Sequence, residues 1–166
     1  DKLRAVPLLP IAIQKFYEVG FDRFFYVRNM ASSVRCGPRQ YPTLYRIMRE
    51  CCEILDMPEP ELYLASSPFP NAYAGGVERP YVTLLSAMVS TMDEDGLYYL
   101  IGHELGHIKA NHVLYFSVYG VLGSILEMLG RRTLGFSDVA SYALVLAYYE
   151  WSRQAEFSAD RAGMLC

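Results

Sequence analysis

The sequence lacks features that mark several common protein classes. Paired cysteines and clusters of basic residues are two of the missing features. Its 166 residues include 4 Cys (Cys36, Cys51, Cys52 and Cys166), with no CxxC pair and no spacing typical of a secreted disulfide scaffold, so we expect reduced thiols. The Lys and Arg residues, 15 in all, are dispersed and outnumbered by 18 Asp and Glu, which gives a net charge of −3. This balance gives no indication of nucleic-acid binding.

Uncharged runs long enough for a clean membrane span are also missing. Two uncharged runs in the C-terminal half, at 113–126 and 139–149, are shorter than the roughly 20 residues that a spanning helix needs. Hydrophobic residues nevertheless make up 52% and aromatic residues 14% of the chain, which implies a well-buried helical core or contact with a membrane. We favour a buried or surface-dipping helical hairpin over a pair of spans. Residues 113–149 could then touch a membrane surface, with the protein in the cytoplasm or on the cytoplasmic side of a membrane.

Hydrophobic periodicity predicts a mainly helical α+β domain. We expect one domain over 1–166, with a helical N-terminal segment at 1–39 and a core at 40–166 that is truncated within its last helix. Three predicted strands form a small three-stranded sheet or β-hairpin region, and a short extended piece precedes them. The predicted helices are 10–29, 41–56, 86–91, 93–112 and 138–165, the strands are 62–64, 71–74 and 81–85, and the extended piece is 33–36.

The predicted helix at 93–112 has two unusual features. Thr91 and Glu94 have the spacing of a capping box at its start. Gly102 and Gly106 lie in its interior, where each glycine costs about 1 kcal/mol relative to alanine. We therefore expect a strand or another helix to pack very closely against this helix at the two glycines.

All three histidines of the chain lie between positions 103 and 112, and two of them belong to the segment HELGH at 103–107. His103 and His107 are four residues apart, so on a helix they share one face. The HExxH pattern indicates a metallopeptidase site, in which the two imidazoles bind Zn²⁺ and Glu104 acts as general base toward the water that the metal activates. A chance match in so short a helical sequence is expected only at about the per-cent level.

A catalytic zinc site needs a third protein ligand. The extended pattern HExxHxxGxxH is excluded, because Ala110 and Val113 stand where glycine and histidine would be required. His112 would be rotated about 140° from His107 on a continuous helix, so we expect it to be solvated or at the helix end.

A carboxylate from another helix is therefore the expected ligand. Glu156 and Asp160 in the segment EFSAD are four residues apart and share a face. Glu156 could bind zinc while Asp160 accepts the free N–H of a ligating histidine. By itself, this pair could equally be a solvated acidic face between Arg153 and Arg161; together with HELGH, the metal-binding interpretation is favoured.

Three segments together resemble the gluzincin metallopeptidases of the HtpX and CAAX prenyl protease type. They are HELGH, the ExxxD spacing of Glu156–Asp160, and the NAYAGG segment at Asn71–Gly76. The resemblance covers about residues 40–166. It implies a zinc endopeptidase with one Zn²⁺ per chain and a zincin-like, mainly helical fold around a small sheet, often at a membrane.

The same resemblance implies roles for particular residues. His103, His107 and Glu156 would bind zinc, Glu104 would be the base, and Asp160 would support a ligand. The strand formed by Asn71, Ala72, Tyr73 and Ala74 would be the edge along which a peptide or protein substrate lies. That role also has a physical basis, because an exposed strand edge can pair with an extended peptide.

Other interpretations remain open at this point. The chain could be a non-catalytic zinc-stabilised interaction module, although the intact Glu104 argues against a purely structural zinc. It could also be a membrane-surface helical protein in which HELGH is accidental. Arg35-Cys36-Gly37 resembles a segment whose thiol caps the zinc of a latent protease, but a buried structural thiol at Cys36 is favoured.

Overall fold

The computed structural model describes residues 20–117, 119 and 136–166. It is mainly helical with a small mixed sheet, which confirms the predicted α+β class. The predicted helix at 10–29 and hairpin at 113–149 lie partly outside the described residues. The helices and strands are α1 (Phe21–Ser32), β1 (Ser33–Arg35), α2 (Pro42–Ile54), β2 (Glu61–Ala65), β3 (Ala72–Gly75), β4 (Tyr81–Leu85), α3 (Ser86–Thr91), α4 (Glu94–Lys109) and α5 (Phe136–Leu165).

The sheet has four strands in the order β1-β2-β4-β3. β1 pairs antiparallel with β2, β2 pairs parallel with β4, and β3 pairs antiparallel with β4. The three predicted strands are confirmed, but the prediction of a three-stranded sheet is wrong. The extended piece before them forms a fourth strand of 3 residues, too short to show a period of its own.

The hydrophobic core lies between α2, the sheet and α4. Ile47 of α2, Val82 and Leu84 of β4 and Ile101 of α4 are all fully buried there. Cys51 and Cys52 are adjacent in α2, and both are buried. Adjacent helical residues differ by only about 100° in direction, so both fit within the wide buried face of α2.

The N-terminus of α4 is capped differently from the prediction. The Asp93 carboxylate accepts a hydrogen bond of 2.9 Å from the N–H of Gly96, so Asp93 is the N-cap. The hydroxyl of Thr91 instead donates to Ala87 O within the preceding short helix. The predicted capping box is therefore wrong, because the chain leaves α3 at Met92 before α4 begins.

The C-terminus of α4 also differs from the predicted helix at 93–112. α4 ends at Lys109, and Asn111 adopts a left-handed conformation with φ of 57°. Asn tolerates this conformation better than most residues. A new helical segment begins directly afterwards and covers 112–117, so the chain changes direction between the two.

α4 and α5 cross in direct contact at Gly102 and Gly106, as their position in the helix predicted. A Cβ atom added at Gly102 would lie 2.8 Å from Cys166 Sγ. One added at Gly106 would lie 2.8 Å from Ala162 Cβ and 3.0 Å from Ala159 Cα. The two glycines therefore let the α5 backbone approach α4 more closely than any larger residue would allow.

None of the helices within the described ranges is both apolar enough and long enough to cross a bilayer.

The Gly106→Ala substitution tests the importance of this contact. The added methyl group would gain about 1 kcal/mol of helix propensity, but overpacking costs typically about 1–3 kcal/mol and here involves the α5 backbone. We expect a net loss of stability, measured as a lower midpoint in urea unfolding. Gly37→Ala is the control, because a Cβ there meets nothing within 4 Å. A Gly106→Ala protein more stable than the wild type would contradict the close-contact interpretation.

Candidate metal centre

His103, His107 and Glu156 converge at the crossing of α4 and α5. The Nε2 atoms of the two histidines are 3.2 Å apart. Glu156 Oε2 lies 3.4 Å from His103 Nε2 and 3.7 Å from His107 Nε2. One possible ligand atom from each of the three residues lies within 4.8 Å of the others, an arrangement suited to a single metal ion.

Asp160 and Tyr99 fix the orientation of His103. His103 Nδ1 lies 3.0 Å from Asp160 Oδ1, and the Tyr99 hydroxyl donates a 2.8 Å hydrogen bond to the same oxygen. Since a carboxylate only accepts, the proton of a neutral His103 is on Nδ1 and its Nε2 presents a lone pair toward His107 and Glu156. Asp160 thus lies where the sequence analysis expected it, and Tyr99 is an additional contact that the sequence did not single out.

His107 is held in the neutral form. Burial lowers its pKa to about 4, and the neighbouring imidazoles of His103 and His112 act in the same direction. Its Nε2 therefore offers a lone pair at neutral pH, as a metal ligand must. Two imidazole lone pairs and one carboxylate oxygen facing a common point are mutually unfavourable without a cation between them. The donor set thus fits a divalent metal such as zinc.

Glu104 is buried beside the three converging residues, on the same helix as both histidines. Burial is the largest influence on its carboxyl group and raises its pKa. The electrostatic interaction with the His103 ring and a hydrogen bond donated by the backbone N–H of Ala74 both lower the pKa and so favour the ionised form. Glu104 is therefore a buried, hydrogen-bonded carboxyl group. It holds a proton more readily than an ordinary, exposed glutamate does.

Strand β3 is an edge strand of the described sheet and lies next to this group. Asn71 O accepts a 3.0 Å hydrogen bond from Leu85 N–H, which sets the alternation of the ladder between β3 and β4. The backbone groups of Ala72 and Ala74 then point away from β4, toward the other side of β3. Ala72 N–H is bonded to Asn71 Oδ1 at 2.9 Å, while Ala74 N–H reaches Glu104.

A cleft of about 370 Å³ joins this edge to the converging residues. Its walls contain the predicted substrate-binding residues at 71–74 together with His103, His107, Glu104 and Glu156. Val113 and Phe116 from the helical segment 112–117 also line it. The sequence analysis missed these two residues, since it treated 113–126 as part of a possible membrane-surface hairpin.

His112 was expected to be solvated or at a helix end, and the first of these alternatives is wrong. It is only 8% exposed, and its Nδ1 lies 3.1 Å from His107 Nδ1. The prediction assumed a continuous helix through position 112. Because α4 ends at Lys109 and Asn111 adopts its left-handed conformation, the chain turns and returns the His112 ring to the side of His107.

Cys36 lies far from the converging residues. It follows β1, at the opposite edge of the sheet from β3, and three strand spacings of about 4.8 Å put these edges roughly 14 Å apart. Its side chain is 5% exposed and belongs to the hydrophobic core. The favoured interpretation, a buried structural thiol, agrees with this position.

Comparison with known proteins places the chain in a family. Residues 38–166 match Peptidase family M48, so the chain belongs to this family. It is 28% identical over 166 residues to "Plastoglobule-localized metallopeptidase 48, chloroplastic" of Arabidopsis thaliana, covering 98% of this chain and 47% of that protein. It is 29% identical over 147 residues to "Protease HtpX homolog" of Sulfurihydrogenibium sp. (strain YO3AOP1), covering 74% of this chain and 50% of that protein.

These relatives confirm the resemblance to HtpX-type metallopeptidases that the motifs indicated. The chain spans about half the length of the curated relatives it matches. No solved structure matches it.

Alkylation can test the position of Cys36. Burial raises the pKa of its thiol to about 11, so the reactive thiolate is scarce at pH 7.5 and becomes appreciable only as the pH approaches that value. We expect iodoacetamide to leave Cys36 unmodified in the folded protein, as measured by mass spectrometry of peptides after timed reaction. The same protein in guanidinium should react fully. Rapid alkylation in the folded state would show that the thiol is accessible.

Proposed function

We propose that this chain carries the catalytic site of a zinc-dependent endopeptidase that hydrolyses peptide bonds with Glu104 as general base. The observation that carries the proposal is the convergence of His103, His107 and Glu156 within 4.8 Å, next to a buried glutamate and an edge strand of the sheet. A site with three protein ligands is typical of catalytic zinc, whereas structural zinc usually has four.

His103, His107 and Glu156 would hold one Zn²⁺ per chain. When bound, the zinc would act as a Lewis acid toward the scissile carbonyl and would lower the pKa of a water molecule toward about 7. Asp160 would hold His103 in the tautomer that leaves its Nε2 free for the metal.

Glu104 would move the proton. Its carboxylate would accept a proton from the attacking water and pass it to the nitrogen of the leaving amine. Burial favours the protonated form that the second step needs, and the hydrogen bond from Ala74 supports the ionised form that the first step needs. The two opposing influences suit a group that must both take up and release a proton at neutral pH.

A peptide or protein substrate would add to the outer edge of β3. The backbone carbonyls of Ala72 and Ala74 would accept hydrogen bonds from an extended peptide, while Asn71 and Tyr73 would flank it in the cleft. An extended chain bound there would pass directly over Glu104, since Ala74 contacts this residue. Strand addition would therefore bring a peptide bond next to the proposed base and the three proposed ligands.

Two broader proposals concern the whole protein. We propose that residues 1–166 form one metallopeptidase domain with a helical segment at 1–39 and the catalytic core at 40–166. We also propose that 113–149 touches a membrane surface from the cytoplasmic side, on the basis of its long uncharged runs.

Glu104→Gln separates catalysis from metal binding. The amide keeps the shape of the side chain but cannot take a proton, so we expect hydrolysis of unstructured casein to fall by about 10²–10⁴-fold. Bound zinc, measured by elemental analysis, should stay at the wild-type level. Glu53→Gln is the control, because that side chain is 75% exposed on α2 and should leave activity unchanged. An active Glu104→Gln protein would exclude the proposed base.

The ligand assignment can be tested with His103→Ala, His107→Ala and Glu156→Ala. Each should lower zinc content from about one ion per chain toward zero, because two remaining ligands hold the ion poorly. Added zinc should raise the melting temperature of the wild type but not of these variants, since only the wild type gains binding energy in the folded state.

Glu150→Ala serves as the control for the ligand variants, because Glu150 is an exposed carboxylate earlier on the same helix. It should retain zinc. A Glu156→Ala protein with full zinc content would remove Glu156 from the ligand set. A wild type that binds zinc but does not cleave casein would favour a non-catalytic zinc module.

A further inference from the structure

The two histidines of the proposed metal site are supported in different ways. His103 Nδ1 faces the carboxylate of Asp160 at 3.0 Å. His107 Nδ1 faces another imidazole, that of His112, at 3.1 Å. A ligating histidine usually donates its second N–H to a fixed acceptor, which holds the ring in place and sets its tautomer.

Proton positions at His107 follow from the geometry, given the proposed function. If Nε2 of His107 binds the metal, the proton of the neutral ring is on Nδ1. That N–H must then donate to Nδ1 of His112, which accepts only if it carries no proton. The proton of His112 is therefore on its Nε2.

Ser158 provides an acceptor at the required place. Its Oγ lies 3.4 Å from His112 Nε2 and donates its own proton to Ala155 O at 2.9 Å. The hydrogen bonds thus run in one direction, from His107 through His112 and Ser158 to a backbone carbonyl of α5. In each of these hydrogen bonds, one group donates and the next accepts, so the roles along the series are consistent.

Packing holds the His112 ring in this position. Trp151 of α5 lies edge-on to it with ring centroids 5.6 Å apart, and His107 contacts Phe116 at 5.7 Å. A neutral partner also avoids adding a further buried negative charge to a centre that already contains three carboxyl groups.

We propose that His112 is a positioning residue for the metal ligand His107: its Nδ1 accepts the His107 Nδ1–H, and Ser158 fixes its tautomer from the other side. The inference rests on the proposed metal site, and it assigns a function to the third histidine of the chain.

Two substitutions of His112 separate hydrogen bonding from packing. His112→Phe keeps a ring against Trp151 but removes the acceptor. His112→Asn places an amide oxygen near the position of Nδ1 and keeps the acceptor. We expect zinc affinity, measured by competition with a chromophoric chelator, to fall by about 10–100-fold in His112→Phe and by less than about threefold in His112→Asn. Ser158→Ala should lose roughly 2- to 10-fold.

A spectroscopic measurement on the wild type checks the tautomers directly. Long-range ¹H–¹⁵N correlation of the zinc-loaded 166-residue chain should show a proton on His107 Nδ1 and a proton on His112 Nε2, with His112 Nδ1 unprotonated. This measurement remains decisive even if His112→Phe fails to fold. A proton on His112 Nδ1 would overturn the inference.

The outcomes distinguish the inference from the proposed function. Equal zinc affinity of the wild type and His112→Phe would overturn the role of His112 and leave the metal site intact. Equal losses in His112→Phe and His112→Asn would also overturn it, because the acceptor would then be irrelevant. A wild type that binds no zinc would instead overturn the proposed function itself.

Discussion

The crossing of α4 and α5 determines where the functional groups of this protein lie. Gly102 and Gly106 remove the side chains that would keep the two helix backbones apart, and Ala159 and Ala162 of α5 fill the space. This short separation lets Glu156 reach both imidazoles of α4. With longer side chains at the crossing, the carboxylate would be displaced by more than the few tenths of an ångström that metal coordination tolerates. The glycines lower the helix propensity of α4, but they allow His103, His107 and Glu156 to converge.

Electrostatics accounts for the remaining features of the centre. Glu104, Glu156 and Asp160 bring three carboxyl groups to a partly buried region, and the nearby imidazole of His107 is kept neutral by burial. These groups are costly to bring together in the absence of a cation. Excluding water does not weaken the repulsion among the carboxylates and the imidazole lone pairs. Local hydrogen bonds offset part of this cost, through Ala74 to Glu104 and Tyr99 to Asp160. The arrangement of these groups thus fits a positive charge between them.

The sequence predicted the parts of this centre whose spacing follows a single helix. His103 and His107 share a face because they are four residues apart, and the same spacing relates Glu156 to Asp160. The close contact at Gly102 and Gly106 was also foreseen. The ends of helices were harder to predict from the sequence, because Asn111 could have continued α4. Its left-handed conformation ends the helix, so the His112 ring is buried beside His107 and not solvated. Tyr99, Val113 and Phe116 could not be selected, since their roles depend on how distant segments pack and one tyrosine among 14 carries no signal of its own.

The separation of the converging groups along the chain has a consequence for folding. His103 and Asp160 are 57 residues apart, so the hydrogen bond between them closes a long loop and forms only when α5 docks on α4. Closing such a loop costs conformational entropy that local helix formation does not recover. A cation held by both helices would stabilise the docked state by mass action and act as a removable cross-link. Metal depletion would then lower the free energy of unfolding as well as empty the site, and the two losses would be thermodynamically linked.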